Sequence, residues 1–472
     1  MKRRAFVRVM LGALSATALG ASSAMVTGAP DVSASTALPV VSRPHARQIR
    51  AWGRTPSALP ATDGEPDVAR ATFDSGLRAV VRERPDGEVA ALTVAVRGGS
   101  RDEDADTLGA AHFMEHMFFQ GTPRRPASIA IDRDLEARGG RANAWTGWES
   151  INFRVVVPAG SIDLAIDVLA DMLTGSLFDE AKLEKERLVV LDELERRRAA
   201  PATRAYDLLL PAVLGDHPAR NLPSGNRDTI DRTTRDVVLA FRDRHFVAPN
   251  MVVAVAGAVD GEQILSSVAD AFAALPGGPP PAFEPAQPPP ARDVLVEAPA
   301  PGRQARIIVG GPAPGQHDPD RYAMVLAIAL LGGAGRRLET TLVDEWGLVA
   351  SVAPAYLELT DVGVWSVAAG LSAANVDGAL DAIRAELQRC GDAPPTPEAL
   401  GEAMAYVAGS TLLRGERSID LAEALSNGGA LSTYEPTDRF LARIDAVTPD
   451  DVGRVARAYL DPDRLARVVL RP

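Results

Sequence analysis

The chain has 472 residues, a formal net charge of −12 and a single cysteine, Cys390. Such acidity argues against nucleic acid or anionic membrane surfaces as partners, and one cysteine cannot close an internal disulfide, so a large apolar core must stabilise the fold. The length is ample for two domains.

At the N-terminus, Lys2, Arg3, Arg4 and Arg8 flank an apolar stretch running from Val9 to about Val26. Small residues follow at Ala21-Ser22-Ser23-Ala24 and Val32-Ser33-Ala34. This is the pattern of a secretory signal peptide, assigned to residues 1–30. Arg3-Arg4 also approximates a twin-arginine signal. The expected location is therefore outside the cytoplasm, periplasmic or secreted. Gly, Ser and Thr interrupt the apolar run, which predicts no stable membrane anchor. Residues 31–67 are rich in Pro, Ala, Ser and Thr without periodicity and read as an extended arm.

Residues 108–119, LGAAHFMEHMFF, form an apolar helix that carries His112-Phe113-Met114-Glu115-His116, an H-x-x-E-H pattern. At about 3.6 residues per turn, histidines four apart lie one above the other on one face. Two imidazoles so placed can grip one Zn²⁺, and Glu115 beside them could take a proton from water. Zinc at a catalytic site needs a third protein ligand. Candidates lie in 181–199, AKLEKERLVVLDELERRRA, a run without Gly or Pro that reads as a strong helix. Glu186 and Glu193 are seven apart and share a face, with Val189 and Val190 as apolar neighbours and Leu183 and Leu194 extending the stripe. A carboxylate on that side is costly unless paired or bound to metal. Glu184 and Glu195 are read as exposed.

Residues 152–157 read as a strand followed by a helix from Ser161 to about Leu173, and 363–369 with 374–388 repeat that order. Residues 226–259 read as two helices, a Pro249-Asn250-Met251 turn and a strand, mirrored by 439–470. The proline-rich 276–292 is a linker between these diverged halves, 68–275 and 293–472. Interleaved strand pairs and helices predict an α+β fold of two similar halves, each a mostly antiparallel sheet flanked by helices. The second half keeps only His317, read as a solvated loop residue.

The chain resembles the pitrilysin/insulinase family of zinc peptidases, which includes the mitochondrial processing peptidases. Besides H-x-x-E-H, the resemblance rests on Ser75-Gly76-Leu77 with the strand to Val81, on Val94 through Gly98-Gly99-Ser100-Arg101 to Glu103, on Gly121-Thr122, on Asn143-Ala144, and on His245-Phe246 with Pro249-Asn250-Met251. It implies two halves enclosing a cleft. It implies zinc held by His112, His116 and Glu193, with Glu115 as general base and Glu186 as the carboxylate that orients the ligands. It implies that Asn143 and Ala144 bind the substrate, presenting backbone to an extended peptide. In active members a C-terminal-type half commonly carries an Arg and a Tyr seven residues apart. Here Val343 and Ala350 stand at those positions. The expectation is an exported zinc endopeptidase, the metal-bearing subunit of a heterodimer whose homologous partner supplies the Arg/Tyr pair. The alternative is a non-catalytic structural or partner subunit.

Overall fold

The computed structural model describes residues 67–333 and 335–472. The signal peptide and almost all of the 31–67 arm lie outside the described residues. Among the described residues, no helix is long and apolar enough to cross a membrane.

The first half runs β1 (Val68–Thr72), β2 (Arg78–Glu83), β3 (Val89–Arg97), α1 (Ala110–Phe118), α2 (Ser128–Glu136), β4 (Arg141–Thr146), β5 (Ser150–Pro158), α3 (Ile162–Gly175), α4 (Glu180–Ala199), α5 (Pro201–Leu214), α6 (Arg227–Arg232), α7 (Arg235–His245), β6 (Met251–Gly257) and α8 (Gly261–Ala271). Its strands form one sheet in the order β1-β2-β6-β3-β5-β4. The middle strands β3 and β6 are nearly continuous runs of Val and Ala, buried on both faces. Among the described residues β4 pairs only with β5, which leaves one edge of the sheet open there.

The second half runs β7 (Val294–Pro299), β8 (Ala305–Ala313), α9 (Arg321–Gly332), the short α10 (Arg337–Glu339), β9 (Val349–Glu358), β10 (Gly363–Leu371), α11 (Val376–Asp392), α12 (Pro397–Gly415), α13 (Ser418–Leu431), α14 (Thr437–Asp445), α15 (Pro449–Tyr459) and β11 (Ala466–Arg471). Its sheet order is β7-β11-β8-β10-β9. Among the described residues each sheet contains a single parallel pair, β2 with β6 and β7 with β11, and is otherwise antiparallel. The fold is α+β with two copies of one topology, β1 being the addition in the first copy.

One face of each sheet carries its own helices and a large apolar core. The opposite faces are covered by exchange. α5, from the first half, packs Leu209, Leu210 and Val213 on Ile308, Val364, Val468 and Leu470 of the second sheet. α13, from the second half, packs Leu425 and Ala430 on Val80, Ala95, Val252 and Ala254 of the first. Buried Thr93 of β3 ties this helix down, donating to Ala422 O at 2.9 Å and lying 2.9 Å from Ser426 Oγ. The linker is pinned as well. Phe283 lies against the guanidinium groups of Arg97 (4.3 Å) and Arg101 (4.5 Å), and Ala286 N donates to Asp361 Oδ2 at 2.8 Å. Between the two halves opens a cleft of about 1300 Å³.

Candidate metal centre

The first turn of α1 is built by residues far from it. Gly109, at φ 89°, sits before the helix in the left-handed region, and Gly225 packs so closely that a Cβ there would lie 2.5 Å from Leu108 O. No side chain at Gly109 can cap the helix. Buried Glu103 substitutes, accepting from Gly109 N and Ala111 N at 2.8 Å each. These bonds satisfy backbone donors that a helix start leaves without partners. Phe113, Met114, Met117 and Phe118 are fully buried and fix the rotation of the helix. His112 and His116 are thereby turned towards the cleft, their ring centroids 4.8 Å apart.

α4 crosses beside α1. Asp179 caps it, accepting from Lys182 N at 3.0 Å, and Leu183, Val190 and Leu194 anchor it in the core. Val189 does not belong to that stripe. It is 40% exposed, and Leu188 is 69% exposed, because both rotate past the contact line that Val190 occupies. Glu184 and Glu195 are exposed. Glu186 and Glu193 face the cleft with Val190 between them.

His112, His116 and Glu193 each offer an atom within 4.8 Å of the others. Glu193 Oε2 lies 3.8 Å from His112 Nε2 and 3.5 Å from His116 Nε2. Ligand atoms on a tetrahedral zinc with bonds of about 2.0–2.2 Å stand roughly 3.3–3.6 Å apart, so the three donors, two nitrogens and a carboxylate oxygen, are of the kind zinc takes and need only a small contraction to close on it. Glu186 stands behind the set, its Oε2 3.1 Å from His116 Nδ1. A carboxylate of this kind fixes the ring and its tautomer, leaving Nε2 free to bind metal. His112 Nδ1, by contrast, is buried with no hydrogen-bond partner among the described residues.

The electrostatics of the metal-free site follow from these distances. Burial opposes a charge on His116, but the adjoining Glu186 and Glu193 carboxylates outweigh it and raise its pKa well above the imidazole range. Burial and the neighbouring His116 charge push His112 down. The two shifts favour a charge on His116 over one on His112. Glu115 is buried, which raises its pKa, with His116 and a hydrogen bond from Thr146 pulling the other way. Thr146 Oγ1 donates to Glu115 Oε2 at 2.8 Å. No sequence signal marked Thr146, whose link to Glu115 spans 31 positions.

Asn143 and Ala144 lie on β4 and line the cleft. Asn143 Oδ1 accepts from Ala144 N at 2.9 Å, so this donor on the edge strand is filled by a local side chain. Val343 packs against the second core in the wide helical turn Thr340–Glu345, and Ala350 is exposed on β9. Neither lines the cleft. His317 is exposed.

Comparison with known proteins decides the family. A profile described as insulinase (peptidase family M16) matches residues 78–222, and one described as the peptidase M16 inactive domain matches 232–407. An uncharacterised zinc protease of Streptomyces coelicolor is 33% identical over 88% of this chain and 92% of its own length. The chain belongs to peptidase family M16. Within this family it also resembles a probable mitochondrial-processing peptidase subunit beta of Arabidopsis thaliana, 29% identical over 86% of this chain and 79% of that protein. A protease from Helicobacter pylori shares the fold, with a TM-score of 0.78 at 22% identity over 86% of this chain and 100% of the other. The residues of the candidate centre, His112, Glu115, His116, Glu186 and Glu193, fall inside the first profile match. The second match begins at Arg232, yet β6 within it completes the first sheet between β2 and β3.

Proposed function

We propose that this chain is the metal-bearing subunit of an exported zinc-dependent endopeptidase that cuts peptides or unfolded segments. The observation that carries the reading is the convergence of His112, His116 and Glu193 on one point, with buried Glu115 beside them in a cleft. The names of the S. coelicolor and other M16 relatives as zinc proteases support zinc as the ion. Bound zinc supplies Lewis acidity towards a scissile carbonyl and water. Glu115 accepts the proton of the attacking water and hands it to the leaving amine. Glu186 holds His116 in the ligating tautomer. The open edge of β4, at Asn143 and Ala144, takes the peptide as an added strand, whose carbonyl would displace Asn143 Oδ1 from Ala144 N.

Val343 and Ala350 lack hydrogen-bonding side chains, so the reading includes a homologous partner that supplies an Arg/Tyr pair. The likeness to a processing-peptidase beta subunit supports a two-chain enzyme. The same two positions would suit a non-catalytic subunit, but such a chain has no use for an intact metal cluster. The proposed N-terminal signal places the enzyme in the periplasm or outside the cell.

The test is metal analysis of the purified chain with peptide hydrolysis in the presence and absence of a homologous partner. Stoichiometric zinc that is lost in His112→Ala, and hydrolysis that needs the partner and is lost in Glu115→Gln, is the expected result. A chain that takes up no zinc would rule the function out, and full activity of the isolated chain would rule out the partner.

A further inference from the structure

We infer that Thr146 is the positioning residue for Glu115, and that β4 thereby links peptide docking to placement of the base. The inference rests on the reading of Glu115 as that base.

Among the described residues, Thr146 Oγ1 is the sole hydrogen-bond donor to the Glu115 carboxylate, at 2.8 Å from Oε2. A glutamate has three side-chain torsions, and α1 fixes only its Cα. A single strong donor to an ionised oxygen selects one rotamer, because a charge-assisted bond in a half-dry site is worth more than a neutral one. Once Oε2 is held by Thr146, the other oxygen is left for the proton transfer.

The placement of Thr146 makes it more than a local prop. Residues two apart on a strand share a face. Ala142 and Ala144 pack against the first core, beneath α1, and Thr146 continues that row to reach Glu115. Asn143 and Trp145 point the other way. Trp145 lies under Arg154 at 5.3 Å, and Arg154 pairs with Glu423 of α13 at 2.8 Å. The strand is thus held on both faces. Its end is equally fixed. The turn after Thr146 closes through Gly147 N to Ser150 O at 2.8 Å, and the 98–101 loop donates to it from Gly98 N, Ser100 N and Arg101 N. Thr146 is therefore the last residue of a strand held on both faces, whose other edge is open among the described residues. A peptide added there is registered against the same backbone that sets the Glu115 carboxylate. Placement within a fraction of an ångström is what such coupling supplies, since an error of about 1 Å can cost about a hundredfold in rate.

Two variants of the full chain, Thr146→Val and Thr146→Ser, decide it. Valine keeps the shape without the hydroxyl, and serine keeps the hydroxyl. In crystal structures of the zinc-loaded variants, Glu115 Oε2 should keep its place in Thr146→Ser and leave it in Thr146→Val, with zinc content equal to wild type in both. In peptide hydrolysis, Thr146→Val should lower kcat about tenfold to a hundredfold at unchanged KM, and Thr146→Ser should recover most of it. Glu115 unmoved in Thr146→Val, or equal losses in both variants, overturns the inference. Full activity in Glu115→Gln overturns the base reading itself, and this inference with it.

Discussion

His116 Nδ1 lies 3.1 Å from Glu186 Oε2, and since a carboxylate only accepts, the ring proton belongs on Nδ1. Nε2, whose own proton an arriving ion would displace, then faces Glu193 with its lone pair reserved for the metal. Glu186→Gln keeps the volume of the side chain, but its amide can present a donor to Nδ1 and so favour the wrong tautomer. Loss of such a partner typically costs about tenfold to a hundredfold in metal affinity. Chelator competition on the purified variant should show a loss of that size with the fold intact. Equal affinity in wild type and variant would make Glu186 a bystander.

Zinc and protons should compete for this centre. In the metal-free chain the carboxylates of Glu186 and Glu193 outweigh burial and keep His116 protonated at neutral pH, while burial keeps His112 neutral. The ion needs His116 Nε2 unprotonated, so its binding expels a proton. The sign follows directly: below the raised pKa of His116, each unit of rising pH strengthens zinc binding about tenfold. Calorimetry in buffers of different ionisation heats should find about one proton released per zinc at pH 7. Binding without proton release would contradict this account of His116.

The exchange of α5 and α13 makes the halves mutually dependent. Without α13, Val80, Ala95, Val252 and Ala254 of the first sheet face water, and without α5, Ile308, Val364, Val468 and Leu470 of the second do. A fully buried side chain of this size contributes about 1.5–3 kcal/mol. A fragment of residues 67–292 should therefore bind a hydrophobic dye and aggregate, and co-expression with residues 293–472 should restore a soluble, zinc-binding complex. A stable, monomeric 67–292 fragment would show that α13 is dispensable.

How much of this was legible in the sequence depends on distance along the chain. The spacing of His112 and His116 and that of Glu186 and Glu193 are properties of single helices, so a linear pattern shows which side chains share a face. Val189 marks the limit even there. Its spacing allowed the buried stripe, but only the crossing of α4 over α1 selects Val190 instead. The α+β class and the doubled order of elements were also readable, because each element has its own periodicity. The exchange of α5 and α13 was not. Both helices are amphipathic, and amphipathicity names a buried face without naming the sheet that covers it. Thr146 and Glu103 act through single hydrogen bonds to another element, and nothing in a threonine or a glutamate announces its partner.

Arg101 joins three segments in one buried cluster, and its removal should be expensive. Its guanidinium, 4% exposed, bonds Glu149 and reaches Asp361 at 2.8 Å, and both carboxylates are nearly buried. Glu149 also accepts from Thr360 N and Oγ1 at 2.9 Å, so the cluster fastens the β4–β5 turn to the turn between β9 and β10. Arg101→Met removes the guanidinium that both carboxylates share, a type of change that costs about 3–5 kcal/mol. Burial acts to raise the Asp361 pKa, but His217 and Arg101 outweigh it and hold the carboxyl well below the carboxylate range. Its stabilising contribution is therefore complete above the unfolded value of about 3.9 and is lost as the pH falls below it. Thermal unfolding should show the large deficit of Arg101→Met at neutral pH and a smaller one in acid, where the orphaned carboxylates take up protons. Adding Glu149→Gln and Asp361→Asn to Arg101→Met should recover part of the loss at neutral pH, and a triple variant no more stable than the single one would disprove the charge argument.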